Sequence, residues 1–208
     1  MMFLAEKQSF ARRGRHFLRW THRVFLLTGV LALLYVGLTL LYARVYQQTA
    51  NTTLEEQIKV DDQRPAGLPL PAIKKREVRE GDLLGRMEIP RLGVRVAILE
   101  GTTSKTLRLG LGHIVATPLP GAEGNIAIAG HRDTWFRDLK QIREKDQIEI
   151  VTVSGLSRYQ VDWIQIVTPG DTGILDSPAG SSLTLVTCYP FHYIGAAPER
   201  FVVHARKR

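Results

Sequence analysis

Cysteine is almost missing from this chain: one residue, Cys188, in 208. No disulfide can form within the chain, which rules out a stapled small-domain scaffold and leaves the 44% hydrophobic content to supply a core. Internal repeats and low-complexity tracts are absent. So is any D-x-D-x-D-G loop or dense carboxylate run, and neither a metal nor a cofactor is expected. A one-sided charge on the folded part is lacking too. Of the net +8, residues 1–43 hold 6 Lys/Arg against 1 Asp/Glu, residues 44–79 hold 7 against 5, and residues 80–208 hold 15 against 14. A nucleic-acid-binding module keeps its basic patch on the folded domain. The near-neutral C-terminal part argues against such a partner.

What the chain does contain is one long apolar run. Residues 24–43, VFLLTGVLALLYVGLTLLYA, are uncharged throughout. At about 1.5 Å per residue they reach roughly 30 Å, the thickness of a hydrocarbon core. Lys7, Arg12, Arg13, Arg15, Arg19 and Arg23 precede the run, whereas only Arg44 and Lys59 follow it over a similar distance. The asymmetry predicts a basic cytoplasmic tail (1–23), a single-pass transmembrane signal-anchor (24–43) in the plasma membrane, and an extracytoplasmic remainder. A cleaved signal peptide is the competing reading, but its apolar region is typically about 7–15 residues and ends in a small-residue site. Here Tyr42-Ala43-Arg44 stands at that place, and a retained anchor is favoured.

Residues 44–80 read as a juxtamembrane helix followed by a linker. Val45, Leu54, Ile58 and Val60 are loosely spaced for a helix, with Glu55 and Lys59 as an i,i+4 pair. Residues 64–78, RPAGLPLPAIKKREV, hold three prolines and a basic cluster, which suits an extended tether. From 81 to 208 the pattern becomes short alternating runs cut by Gly, Pro, Asp and Ser. Strands are predicted at 86–89, 94–99, 112–115, 125–130, 147–153, 158–167, 183–187 and 201–205, with short helices at 103–109 and 134–141. That spacing predicts an all-β domain, a sandwich or closed barrel.

Outside a reducing compartment an unpaired thiol is a hazard, so Cys188 in TLVTCYPF needs a reason. It is either a buried small hydrophobe or a nucleophile. A nucleophile needs an imidazole and a group that holds an oxyanion. His16 and His22 fall on the cytoplasmic side. Of the rest, His131 ends the strand-like NIAIA in Gly130-His131-Arg132-Asp133, and His113 sits in a similar Gly-His setting that chemistry alone does not separate from it. His192 is in an apparent loop and His204 lies on a strand. Arg200 opens the last strand. If that strand forms a hairpin with LTLVT, Arg200 begins one strand where Cys188 ends the other. The bland alternative for Arg200 is an ion pair with Glu199 or Asp176, and for Asp133 an exposed turn carboxylate rather than a partner of His131.

The segments GRMEIPRLGVRVAILEG (85–101), GNIAIAGHRDTWFRDL (124–139) and SLTLVTCYPFHYIGAAPERFVV (182–203) resemble the sortases. The likeness is most to the class D type, with its TLxTCYPF, IGxAPxRFxV and GHRDTxF patterns, and covers about residues 82–206. The resemblance implies an eight-stranded sortase-type β-barrel with short helices, preceded by the transmembrane helix. It implies a cysteine transpeptidase with catalytic Cys188, His131 and Arg200, acting on C-terminal sorting signals of the LPxTG or LPxTA kind. The acceptor would be an amine, on a peptidoglycan precursor or a pilin lysine. By the same analogy Ile174 and Leu175, before the cysteine strand, are candidate substrate contacts, and Thr187 is a candidate for shaping the site. Rival readings are another cysteine peptidase, an L,D-transpeptidase, and a catalytically silent membrane adaptor that binds peptide or wall polymer. In an L,D-transpeptidase an Arg is expected just after the cysteine, where Tyr189 and Pro190 stand. An intact Cys, His and Arg set argues against the adaptor.

Overall fold

The computed structural model describes residues 2–62, 78–176 and 180–208. The expected tether at 64–78 falls almost wholly outside them. The chain divides into two units, Met1–Arg44 and Val45–Arg208. The first unit is helical from Met2 onward, within helix α1 (Met2–Asp62). Its leucines, valines and aromatics from Trp20 to Tyr42 are exposed, Phe25 at 77% and Leu33 at 75%. A water-soluble helix hides such a surface, so the segment is long and apolar enough to cross a membrane.

The second unit holds eight strands closed into a barrel: β1 (Leu83–Ile89), β2 (Val94–Glu100), β3 (Leu111–His113), β4 (Asn125–Ala129), β5 (Gln147–Thr152), β6 (Gly155–Val167), β7 (Ser182–Tyr189) and β8 (Glu199–Lys207). Around the barrel the order is β1-β2-β3-β4-β7-β8-β6-β5. Six of the neighbouring pairs are antiparallel; β2–β3 and β4–β7 are parallel. The β2–β3 crossover carries helix α2 (Ser104–Leu109), whose first turn is capped by Thr103 accepting from the Thr106 N–H. The crossover from β4 to β7 contains the β5–β6 hairpin, so two strands far apart in sequence become neighbours.

All eight expected strands are present; five run one to four residues longer than the pattern suggested and three are one residue shorter. The residues that alternate inward, including Ile126, Ile128, Ile148, Ile150, Leu183, Leu185 and Val203, are fully buried and pack with Met87, Ile98 and Leu111. The expected helix at 134–141 is a 3-10 turn, Arg137–Gln141. It seats Leu139, with Phe136 beside it, both at 0% exposure.

The end of α1 belongs to this unit and packs on the barrel. Ala50 and Leu54 are buried. β3 pairs with β2 only from Ile98 onward, and at Ala97 the Gln47 side chain substitutes for a strand: its Oε1 accepts from Ala97 N at 2.9 Å and its Nε2 donates to Leu109 O. Glu55 reaches Arg95 at 3.1 Å and Arg86 at 3.5 Å, rather than serving only a helix pair with Lys59. The helical spacing of Gln47, Ala50 and Leu54 carried this signal.

Candidate active site

The site is set by register at one end of the sheet formed by β4, β7 and β8. Inward positions of β7 are Leu183, Leu185 and Thr187, so alternation turns Cys188 to the outer face, where it is half-buried. The β7–β8 hairpin pairs Cys188 directly with Arg200. β8 begins at Glu199, two residues earlier than the sequence pattern suggested, and this brings Arg200 into the ladder. On the other side of β7, Ala129 of β4 pairs with Val186. The parallel register runs on past the strand: Gly130 N donates to Val186 O at 3.1 Å and Thr187 Oγ1 donates to Gly130 O at 2.8 Å. His131 follows Gly130 directly, in the turn that leaves β4. Cys188 and Arg200 are thus cross-strand neighbours at one end of the β7–β8 hairpin, with His131 two residues past the end of the adjoining β4.

Gly130 is required by close approach. A Cβ there would lie 2.6 Å from Phe136 Cδ2 and 2.7 Å from Leu111 Cδ2. His131 itself is exposed, and its ring has no hydrogen-bond partner among the described residues. Its backbone carbonyl accepts from Thr134 N and Phe136 N, which fixes the turn that leaves β4.

His113, which the sequence left open, is sealed in the barrel. Its ring is 1% exposed, with Nδ1 2.9 Å from Glu100 Oε2 and Nε2 3.0 Å from Pro118 O and 3.1 Å from Thr117 Oγ1, so both nitrogens have partners within the protein. His204 is buried against Asp162 at 2.7 Å and stacked on Trp163, and its strand-face assignment holds. His192 is exposed in the β7–β8 loop. Asp133 does not serve His131; its carboxylate lies 3.4 Å from Arg132 Nε.

Arg200 makes no ion pair among the described residues. Its Nη1 donates to Ala197 O at 3.2 Å and Glu199 O at 2.9 Å, which leaves the rest of the fork open. Thr187 is buried and spends its hydroxyl on Gly130, so it shapes the site by holding the end of β4. Ile174 and Leu175 sit half-buried in a 3-10 turn (Thr172–Leu175) between β6 and β7. That turn is tied to β4 by Asn125 Nδ2 donating to Leu175 O at 3.0 Å. A separate cavity of about 450 Å³ lies at the opposite ends of β7 and β8, lined by Ser182, Trp163, His204 and Arg206, and is remote from Cys188.

One residue that sequence reasoning passed over is Arg132. It is 8% exposed and donates to the carbonyls of Pro190, Tyr193 and Gly195, all in the β7–β8 loop. The signal was a charged residue directly after the histidine inside the GHRDT stretch.

A closed mixed barrel that pairs a cysteine with an arginine across two strand ends, with an exposed histidine just past the end of the next strand, is a candidate cysteine-centred site. The Sortase domain profile matches residues 87–208, more than half of the chain, and the chain belongs to the sortase family. It is 34% identical over 128 residues to Sortase D of Bacillus subtilis, a match that covers 61% of this chain and 65% of that one, just under two thirds. Among solved structures it is similar to a Clostridium perfringens Sortase D5 transpeptidase, with a TM-score of 0.61, 26% identity, and 79% of this chain and 97% of that one covered. It is also similar to Clostridium perfringens sortase C, solved with the C-terminal cell wall sorting motif. There the TM-score is 0.59, with 25% identity and coverage of 77% of this chain and 86% of that one.

Proposed function

We propose that the protein is a membrane-anchored cysteine transpeptidase that cleaves a C-terminal sorting signal of the LPxTG or LPxTA kind and transfers the rest to an amine. The observation that carries this is the register that pairs Cys188 with Arg200; His131, two residues past the last β4–β7 pair, supports it. In the first half-reaction Cys188 Sγ, its proton passing to His131, bonds to the carbonyl carbon of the signal's threonine. The open part of the Arg200 fork donates to the resulting oxyanion, a planar two-point contact that a lysine cannot copy. His131 gives a proton to the departing amide nitrogen, the C–N bond breaks, and a thioester remains on Cys188. In the second half an amine attacks that thioester, His131 takes its proton, and the new amide leaves as sulfur is released.

The relative solved with a sorting motif supports the substrate class. Ile174 and Leu175 would meet the apolar part of the signal, while Thr187 acts through Gly130. The acceptor is an amine of a peptidoglycan precursor or of another surface protein such as a pilin. The basic flank before residue 24 supports an N-terminus in the cytoplasm and a barrel outside the plasma membrane.

The test uses the full chain in detergent with labelled LPxTG and LPxTA peptides and an added amine. The expected result is a peptide adduct on Cys188 by mass spectrometry and an amine-ligated product. Both should be absent in Cys188→Ala, and turnover should be cut roughly 10²- to 10³-fold in Arg200→Lys. No adduct and no product across a broad peptide panel would refute the assignment.

A further inference from the structure

We propose that Arg132 is a positioning residue for this reaction: a buried clasp that sets the shape of the β7–β8 loop and, through it, the aim of Arg200. The clasp itself rests on geometry alone, and its role in turnover rests on the transpeptidase reading.

A guanidinium that is 8% exposed is costly unless its donors are satisfied. Its one carboxylate neighbour among the described residues is exposed: Asp133 Oδ1, 3.4 Å from Nε. Nη1 donates to Pro190 O at 3.2 Å, and Nη2 donates to Gly195 O at 3.2 Å and to Tyr193 O. Nε finds no hydrogen-bond partner. Three carbonyls spread over six residues of one loop converge on a single planar fork, which requires the loop to fold over it.

Little else holds that loop. Residues 192–196 are all exposed, Ile194 at 96%. Phe191 is half-buried, its ring 5.2 Å from that of Phe201 and 6.0 Å from that of Tyr189. The two ends of the loop are the strand ends that carry Cys188 and Arg200. At its C-terminal end the loop carbonyl Ala197 O and the first carbonyl of β8, Glu199 O, accept from Arg200 Nη1. A loop carbonyl therefore helps aim one arginine while the other arginine orders the loop. Arg132 also follows His131 directly in the chain, so one side chain ties the turn bearing the imidazole to the hairpin bearing the thiol. Being buried beneath the loop, it touches no reacting atom, and its effect is relayed.

The test compares wild type with Arg132→Met, which keeps much of the volume, and Arg132→Lys, which keeps the charge but not the fork. Full chains in detergent are assayed well below the melting temperature of each variant. Amide hydrogen exchange should speed up in residues 190–199 of Arg132→Met and stay unchanged in β4 and β7. With peptide and amine, kcat should fall roughly 10- to 100-fold with KM altered by less than about threefold, because misaimed groups cost chemistry more than binding. Arg132→Lys should recover little of that loss.

Unchanged loop exchange would overturn the clasp. Exchange raised evenly over the barrel, an unchanged kcat, or full recovery by lysine would overturn the positioning role. Exchange needs no substrate, so it decides the clasp even if wild type forms no thioester. That last outcome would be the failure of the transpeptidase reading itself.

Discussion

Substituting Gly130 by alanine is the sharpest test of how the site is built. A Cβ would start 2.6 Å from Phe136 Cδ2, 2.8 Å from Phe136 Cε2 and 2.7 Å from Leu111 Cδ2. Ordinary carbon contacts begin near 3.5 Å, so something must move by about 0.9 Å. Both neighbours are at 0% exposure and enclosed by the core, and they cannot rotate into solvent. Overpacking of this kind costs roughly 1–3 kcal/mol, which for a domain of this size is about 2–12 °C in melting temperature. The backbone of Gly130 gives instead, and it carries His131 on one side and the Thr187 hydrogen bond on the other. A shift approaching 1 Å at a catalytic group costs about 10²-fold in rate. The expected result for Gly130→Ala is therefore a lower melting point together with a drop in kcat/KM of that order for a sorting-signal peptide, measured below the melting point. A melting point within about 1 °C of wild type and kcat/KM within about twofold would refute the reasoning.

Two further outcomes follow from named contacts. His113→Ala should cost roughly 1–3 kcal/mol in denaturant unfolding, because the buried Glu100 side chain loses its hydrogen-bond partner. It should leave the folded protein active, whereas His131→Ala should abolish turnover with little change in stability. The Arg91 guanidinium, with help from the Arg143 N–H, holds the Asp146 carboxyl below the usual aspartate range. A depressed carboxylate contributes stability that is present above its unfolded pKa and lost as pH falls through its folded value. The stability gap between wild type and Asp146→Asn, followed by unfolding from about pH 7 down to about pH 3, should therefore shrink as the solution becomes acid. A gap that widens toward low pH would contradict this ion pair.

Much of this molecule is legible in its sequence because the relevant physics is local. An uncharged run long enough for a bilayer, strands that alternate inward and outward, and a threonine that caps α2 all depend on residues a few positions apart. The resemblance of three segments to sortases implied Cys188, His131 and Arg200 together, and the β7–β8 register pairs the first of these with the third. Other features depended on contacts made across the fold. Gly-His settings at His113 and His131 look alike in sequence, yet one ring is sealed against Glu100 and Pro118 while the other faces outward. Thr187 was a candidate for shaping the site from its place before the cysteine, but its hydroxyl's partner, Gly130 O, is 57 residues away and appears only in the fold. Gln47 completes a strand edge 50 residues away, and Arg132 binds a loop whose carbonyls are about 60 residues distant. A side chain's propensity travels with the residue, whereas the partner that satisfies a buried donor is known only once the strands have paired. The sequence by itself therefore determined which elements form and which residues can react. Tertiary structure alone decided which histidine is sealed in the barrel and which arginine holds the loop that follows the cysteine strand.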